Sequence, residues 1–150
     1  EVAQLCSQQG WQVVNRSEKS PVTNNTDIWL IDTLGELLPA CSLADIVTMG
    51  GSFNHIGGHN PLEPALFKKA IVVGPNMANF AEITQRMLAH NGMIQLHEYL
   101  EIAEQLVKQV SDILLDESER MILGQQAHEV VMSNQGATDK TCRAIKALLK

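Results

Sequence analysis

The feature that most constrains this chain is a glycine-rich run, residues 50–64, that directly follows an apolar stretch, residues 44–49. Two Gly-Gly pairs flank a polar segment, and the Asn-Pro-Leu-Glu that follows is typical of a helix start. Glycine lets the backbone approach a ligand closely and adopt positive φ, and the first turn of a helix presents unpaired N–H groups. The run, whose residues 50–60 we term the glycine loop, therefore predicts an anion-binding loop whose natural ligand is a phosphate-bearing small molecule.

Apolar periodicity divides the chain into alternating strands and helices. The predicted strands are residues 11–15, 27–31, 45–49, 70–74 and 93–96. The predicted helices are residues 1–9, 35–43, 60–69 and 79–92, followed beyond Glu98 by helix with breaks near Asp116 and at Gly136. This alternation predicts an α/β fold, a Rossmann-like doubly wound parallel sheet of about five strands with ligands at the carboxyl ends of the strands. The glycine loop follows such an end.

Length and composition limit the function classes. A chain of 150 residues suits one domain, so we predict a single domain over residues 1–150. The aromatic content of 4% and the net charge of -6 argue against a nucleic-acid partner. Three widely spaced cysteines indicate neither disulfides nor a zinc site, which suits a reducing cytoplasm. No apolar run reaches the length of a membrane span, so a soluble chain is expected.

The loop does not match the common nucleotide motifs. Gly-x-Gly-x-x-Gly is absent after every predicted strand, and no Gly-Lys-Ser/Thr follows the glycines, which disfavours NAD and ATP. A purely structural alternative is that the glycines only turn the chain tightly from strand to helix. The two Gly-Gly pairs and the predicted helix cap favour ligand binding over this alternative.

Several side chains around the two helix starts have a structural and a functional interpretation. Glu63 either completes a capping box or accepts hydrogen bonds from the two hydroxyls of a ribose. Asn79 and Glu82 repeat the pattern at the next helix, where capping is favoured. His55 and His59 can donate to a phosphate or a carboxylate, whereas metal binding would need further ligands that the spacing does not offer.

The rest of the chain shows no catalytic centre. We expect His90, His97 and His128 to face solvent, and no Ser-His-Asp order, Cys-His pair or close carboxylate pair stands out. The chain opens on a helical turn with no preceding strand, although a helix of an α/β protein normally covers one. We therefore expect a fragment that forms the binding part of a larger protein.

Several motifs closely resemble the 3-deoxy-D-manno-octulosonic acid (Kdo) transferases of lipopolysaccharide biosynthesis. They are Gly-Gly-Ser at residues 50–52, Gly-Gly-His-Asn-Pro-Leu-Glu-Pro-Ala at 57–65, Val-Gly-Pro at 73–75, Asn-Phe-Ala-Glu-Ile at 79–83 and Asp-Thr-Leu-Gly-Glu-Leu at 32–37. The similarity runs through nearly the whole chain. It implies the GT-B architecture, with this chain as the carboxyl-terminal half that binds the donor CMP-Kdo.

The resemblance also implies the reaction, which is the inverting transfer of Kdo from CMP-Kdo to a lipid A precursor, lipid IVA, without a cofactor or metal. A missing amino-terminal domain would carry the acceptor site, the membrane association and the general base. The isolated domain is therefore expected to be inactive, and the full-length parent to act at the cytoplasmic face of the inner membrane of a Gram-negative bacterium. Two alternatives remain open: the donor domain of another GT-B enzyme that uses a UDP-sugar, and a non-catalytic nucleotide-binding module.

Residue roles follow from the same resemblance. Glu63 matches the GT-B carboxylate that holds the donor ribose. His55 occupies the position where many retaining GT-B enzymes have a second Glu, and this departure suits an inverting enzyme. The resemblance implies that the loop residues surround the phosphate and the Kdo carboxylate and that the motif at Asn79 and Glu82 lies near the donor cleft. The implied substrate-binding residues are Gly51, Ser52, Gly58, His59, Asn60, Glu63, Asn79 and Glu82.

Overall fold

The computed structural model describes residues 1–97, 100–133 and 137–148. Its helices are α1 (Val2–Gln8), α2 (Leu37–Leu43), α3 (Leu62–Leu66), α4 (Ala81–Ala89), α5 (Ile102–Leu115), α6 (Glu117–Ser133) and α7 (Ala137–Leu148). Its strands are β1 (Val13–Asn15), β2 (Ile28–Leu30), β3 (Ile46–Thr48), β4 (Ala70–Val73) and β5 (Ile94–Gln95). Within these residues, every helix is too short or too polar to cross a bilayer.

The predicted alternation of strands and helices is confirmed, and every strand pair is parallel. The helix break near Asp116 is also confirmed, whereas Glu98 and Gly136 lie outside the described residues. The expectation of a single sheet is wrong. Strands β1 and β2 form one sheet, and a second sheet has the order β3-β4-β5. Periodicity identifies a strand but does not identify its partner, so it could not reveal this division.

The chain forms two compact units, residues 1–40 and residues 41–150. In the first unit, Val13 pairs with Ile28 and Asn15 with Leu30. The turn after α1 is closed by Gly10, which has a φ of +90° as expected of a helix-ending glycine. The prediction of one domain over residues 1–150 remains a prediction.

The second unit is built around β4, whose four residues are all buried. Ile71 and Val73 pack in one apolar cluster with residues of α3, α4 and α6, such as Met87. Ala70 and Val72 pack in another cluster that includes Ile113 of α5. Helices therefore cover both faces of this strand, as its continuous apolar sequence predicts.

Helix α6 packs closely on the turn that follows α3. A Cβ placed on Gly124 would lie 1.9 Å from the Lys68 carbonyl oxygen, a distance that no side chain can occupy. Lys68 itself has a φ of +56°, so the backbone at this turn is already in the left-handed region. Glycine at position 124 therefore permits the close approach of α6 that positions α3.

Ser52 joins the loops that follow β3 and β4. Its side chain is fully buried, and its hydroxyl donates to the Met49 carbonyl at 2.6 Å and accepts from the Gly74 N–H at 2.8 Å. A Cβ on Gly74 would lie 2.5 Å from the Ser52 carbonyl oxygen, so the two backbones touch. This contact fixes the start of the glycine loop against the end of the most buried strand.

We predict that Gly124→Ala destabilises the chain by at least about 2 kcal/mol, because the added methyl group overpacks the contact with Lys68. Helix propensity alone predicts the opposite, a gain of about 1 kcal/mol. Urea unfolding measures the difference, and Gln125→Ala at the exposed neighbouring position should change stability by less than about 0.5 kcal/mol. A Gly124→Ala variant as stable as the parent would contradict the packing argument.

We predict that Ser52→Ala costs about 1–3 kcal/mol of unfolding free energy, because it leaves the buried Gly74 N–H and Met49 carbonyl without their bonds to the hydroxyl. The same urea titration checks this, with Ser111→Ala on the exposed side of α5 as the matched control. Equal stability of the two variants would show that the hydroxyl does not join the loops.

Candidate functional site

The glycine loop is closed by its own backbone. Gly51, Gly57 and Gly58 have φ values of +73°, +93° and +80°, the left-handed region that glycine adopts at little cost. The N–H groups of Gly57 and Gly58 both donate to the Gly51 carbonyl, at 3.2 and 3.0 Å. A Cβ on Gly58 would lie 2.4 Å from the sulfur of Met77. The backbone angle therefore favours glycine at position 58, and a larger residue would also displace the Met77 side chain.

Two of the predicted ligand contacts have partners inside the protein. The Ser52 hydroxyl is used by Met49 and Gly74, and the Gly58 N–H is used by Gly51. Ser52 therefore supports the loop through its side chain, and Gly58 supports it by allowing the turn.

His59 and Asn60 provide the accessible polar groups of the loop. The His59 side chain is exposed, and its ring lies against Gly51, with Nε2 and Cδ2 both 3.3 Å from a Cβ placed there. In the part of the chain that the structure describes, the backbone N–H groups of His59 and Asn60 have no hydrogen-bond acceptor. These donors can be satisfied by an anion or by water.

Glu63 lies in the first turn of α3 and is half-buried. Its Oε1 accepts from the Asn60 side-chain amide at 3.4 Å, while the Asn60 Oδ1 accepts from the Leu62 N–H at 3.2 Å. The predicted capping box is thus altered: the helix begins at Leu62, and Glu63 bonds the side chain of Asn60 rather than its backbone. Among the described residues, Glu63 Oε2 has no hydrogen-bond donor.

Cys41 lies near this carboxylate. Burial raises the pKa of the Cys41 thiol, and the negative charge of Glu63 raises it further. The thiol therefore stays protonated at neutral pH and remains a packing residue. Cys6 and Cys142 are also free, as the cysteine spacing predicts.

Asn79 and Glu82 occupy the start of α4, but Asn79 does not cap it. A 3₁₀ turn, Ala78–Phe80, precedes the helix and makes Phe80 the residue at the cap position, without a side-chain bond. The Asn79 amide instead donates to the Ile56 carbonyl at 2.7 Å. Glu82 is exposed and lines a cleft of about 320 Å³ with Phe80. The predicted cap is wrong because the 3₁₀ turn delays the helix and Asn79 reaches the glycine loop.

Sequence reasoning missed three residues that support this site. Asn76 donates to the Asn54 carbonyl at 2.8 Å. The sequence offered a signal for this residue, because a Gly-Pro-Asn turn directly follows a buried strand. Gln95 donates to the Gly74 and Pro75 carbonyls at 3.3 and 3.2 Å, and this contact has no local sequence signal.

The third is His128, which was expected to face solvent. It is half-buried on α6, and its Nδ1 lies 3.1 Å from the Ala65 carbonyl of α3. This bond adds to the packing at Gly124 that holds α3. Its partner is distant in sequence, so periodicity alone could not find it.

The Asp-Thr-Leu-Gly-Glu motif of the first unit is organised by its own bonds. The Ser17 hydroxyl and N–H donate to Asp32 at 2.6 and 2.8 Å, and these bonds lower the pKa of its carboxyl group. A bond from Thr33 and an ion pair with Arg16 at 2.8 Å lower the pKa of Glu36. Both carboxylates are therefore ionised at neutral pH and already paired.

A resident metal was not expected, and this expectation remains open. Within the residues that the structure describes, no three His, Cys, Asp or Glu side chains gather closely enough to hold an ion.

Comparison with known proteins gives the family. No protein-family model matches the chain. The 3-deoxy-D-manno-octulosonic acid transferase of Haemophilus influenzae is 33% identical over 149 residues, 99% of this chain and 34% of that protein. The transferase of the same name from Rickettsia prowazekii is 42% identical over 76 residues, which are 51% of this chain and 16% of that protein.

Among solved structures, the carboxyl-terminal CMP-Kdo binding domain of WaaA from Acinetobacter baumannii matches with a TM-score of 0.78 at 29% identity. The match covers 85% of this chain and 65% of that one. The chain spans 34% of the length of its Haemophilus relative. The α/β fold class of a GT-B carboxyl-terminal half is thereby confirmed, and the chain is a homologue of the Kdo transferases that matches their carboxyl-terminal domain.

Proposed function

We propose that this chain is the donor-binding domain of a Kdo transferase and that the glycine loop with Glu63 holds CMP-Kdo. The observation that carries the proposal is its likeness to the Acinetobacter domain, which is described as CMP-Kdo binding. The parent enzyme would transfer Kdo with inversion to lipid IVA, at the cytoplasmic face of the bacterial inner membrane. Its amino-terminal part would bind the acceptor and the membrane and would supply the general base.

The geometry of the loop supports a phosphate site. The N–H groups of His59 and Asn60 are available to bind an anion, and the exposed His59 ring lies beside them over Gly51. Helix α3 has only five residues, so its dipole adds little to these local donors. Backbone N–H groups and the imidazole would therefore stabilise the CMP phosphate as it departs, and we propose that no metal is needed.

Glu63 suits the donor ribose. An ionised carboxylate only accepts hydrogen bonds, and the two hydroxyls of a ribose can each donate one. The Asn60 amide contacts Oε1 at 3.4 Å, which leaves Oε2 without a competing donor in the described part of the chain. Asn60 therefore contacts one oxygen of the carboxylate that would hold the sugar.

The chain contributes binding rather than acid-base chemistry in this proposal. Inverting transfer needs a base at the acceptor hydroxyl, and we assign that role to the amino-terminal part of the parent enzyme. Asn79 and Glu82 would lie beside the donor, with Glu82 in the cleft at the start of α4. The isolated chain is therefore proposed to bind donor without transferring Kdo.

We predict that Glu63→Ala weakens CMP binding by about 1–3 kcal/mol, because the ribose loses its acceptor. Calorimetric titration with CMP and 2′,3′-dideoxy-CMP forms a thermodynamic cycle: the wild-type chain should prefer CMP, and the variant should bind both nucleotides alike. Glu104→Gln on the exposed side of α5 should leave CMP binding unchanged. An unaltered preference for CMP in Glu63→Ala would favour a nucleotide module that does not use this carboxylate.

We also predict that the chain prefers cytidylate donors. Titration with CMP, CMP-Kdo, UMP and a UDP-sugar should give the highest affinity for CMP-Kdo, because the Kdo carboxylate adds an acceptor for His59. His59→Ala should reduce the advantage of CMP-Kdo over CMP and change CMP binding less. Tighter binding of the UDP-sugar would instead support another GT-B donor.

A further inference from the structure

We propose that Asn76 and Asn79 are positioning residues for the donor site, because their amides hold carbonyl oxygens of the glycine loop away from the bound anion. The inference rests on the proposed function, since it assumes that the loop binds a phosphate. It assigns a role to Asn76, which sequence reasoning did not identify, and changes the role of Asn79 from ligand contact to support.

The evidence is a set of one-directional bonds from residues 74–80, the facing segment, to the glycine loop. Asn76 donates through its backbone to the Ser52 carbonyl at 3.0 Å and through its side chain to the Asn54 carbonyl at 2.8 Å. Asn79 donates through its backbone to the Gly57 carbonyl at 3.0 Å and through its side chain to the Ile56 carbonyl at 2.7 Å. Among the described residues, the loop backbone donates no bond in return.

These bonds engage four carbonyls of the loop. Together with the Gly51 carbonyl, which accepts from Gly57 and Gly58, five carbonyl oxygens of residues 51–57 are used inside the protein. A carbonyl oxygen carries partial negative charge and would repel a phosphate at close range. Turning these oxygens toward the facing segment leaves the ligand side of the loop to the N–H groups of His59 and Asn60.

Both positions need an amide rather than a carboxylate. An Asp at either position would place a second oxygen less than 3 Å from a carbonyl oxygen that now accepts a hydrogen bond. The Asn76 Oδ1 also accepts from the Ala78 N–H at 3.2 Å, which fixes the direction of its amide. A Cβ on Gly57 would lie 3.0 Å from the Asn79 amide, so the loop and this side chain fit each other closely.

The test is calorimetric titration of the whole chain with CMP at about pH 7.5, where a new Asp is ionised. Asn76→Ala and Asn79→Ala should each weaken binding several-fold, and Asn79→Asp should weaken it more than about tenfold, since it adds repulsion to the lost bond. Ser111→Asp places the same charge on an exposed position of α5 and should bind CMP as the wild type does. Urea unfolding of each variant checks that the fold is kept.

A pH series separates positioning from charge and from general stability. Near pH 5 a larger fraction of the carboxyl group introduced by Asn79→Asp is protonated, and a neutral carboxyl group can donate to the Ile56 carbonyl. The affinity of Asn79→Asp for CMP relative to wild type should therefore rise as the pH falls. The affinity of Asn79→Ala for CMP relative to that of the wild type should stay constant with pH, because both proteins bind the same ionic form of CMP.

The outcomes distinguish this inference from the proposed function. If the wild-type chain does not bind CMP, the proposed function fails. If the wild type binds CMP through Glu63 and both Asn76→Ala and Asn79→Ala bind CMP as tightly as the wild type, the positioning role is overturned and the proposed function stands. If the affinity of Asn79→Asp for CMP relative to wild type does not rise as the pH falls, the repulsion between the introduced carboxylate and the loop carbonyl is overturned.

Discussion

The candidate site depends on the buried hydroxyl of Ser52. This group joins the loop after β3 to the loop after β4, where Gly74 leaves room for the two backbones to touch. Strand β4 is buried on both faces, so the position of this junction is set by the core. A backbone-built anion site needs such an anchor, because its donors are peptide groups whose direction follows the path of the chain.

The division of roles among the polar residues follows from that anchor. Ser52, Asn76 and Asn79 direct their bonds into the protein and shape the loop, whereas the His59 ring is exposed and Glu63 Oε2 has no donor among the described residues, so we propose these two for the ligand. A chain with a net charge of -6 has few cations to attract an anion. In the proposed site, local N–H donors with carbonyl oxygens turned away would hold a phosphate despite this overall charge.

The sequence predicted the elements well, because alternating apolar periods and a fully apolar β4 are local signals. It also predicted the turn of the glycine loop and the helix start after it, since glycine pairs and the Asn-Pro-Leu-Glu start are local too, whereas the role of Glu63 stays a prediction. The split into two sheets, the inward use of Ser52 and the contact of Asn79 with Ile56 could not be predicted. Each depends on which segment, distant in sequence, packs against the residue concerned. An Asn that caps a helix and an Asn that supports a neighbouring loop also have the same local sequence pattern.

A crystal structure of this chain with CMP bound would test the central claim most directly. The account predicts ribose hydroxyls within hydrogen-bond distance of Glu63 Oε2 and phosphate oxygens on the N–H groups of His59 and Asn60, with the Ser52 and Asn79 bonds intact. A nucleotide bound away from residues 50–63, or a loop that rebuilds so that Ser52 contacts the phosphate through its hydroxyl, would contradict it.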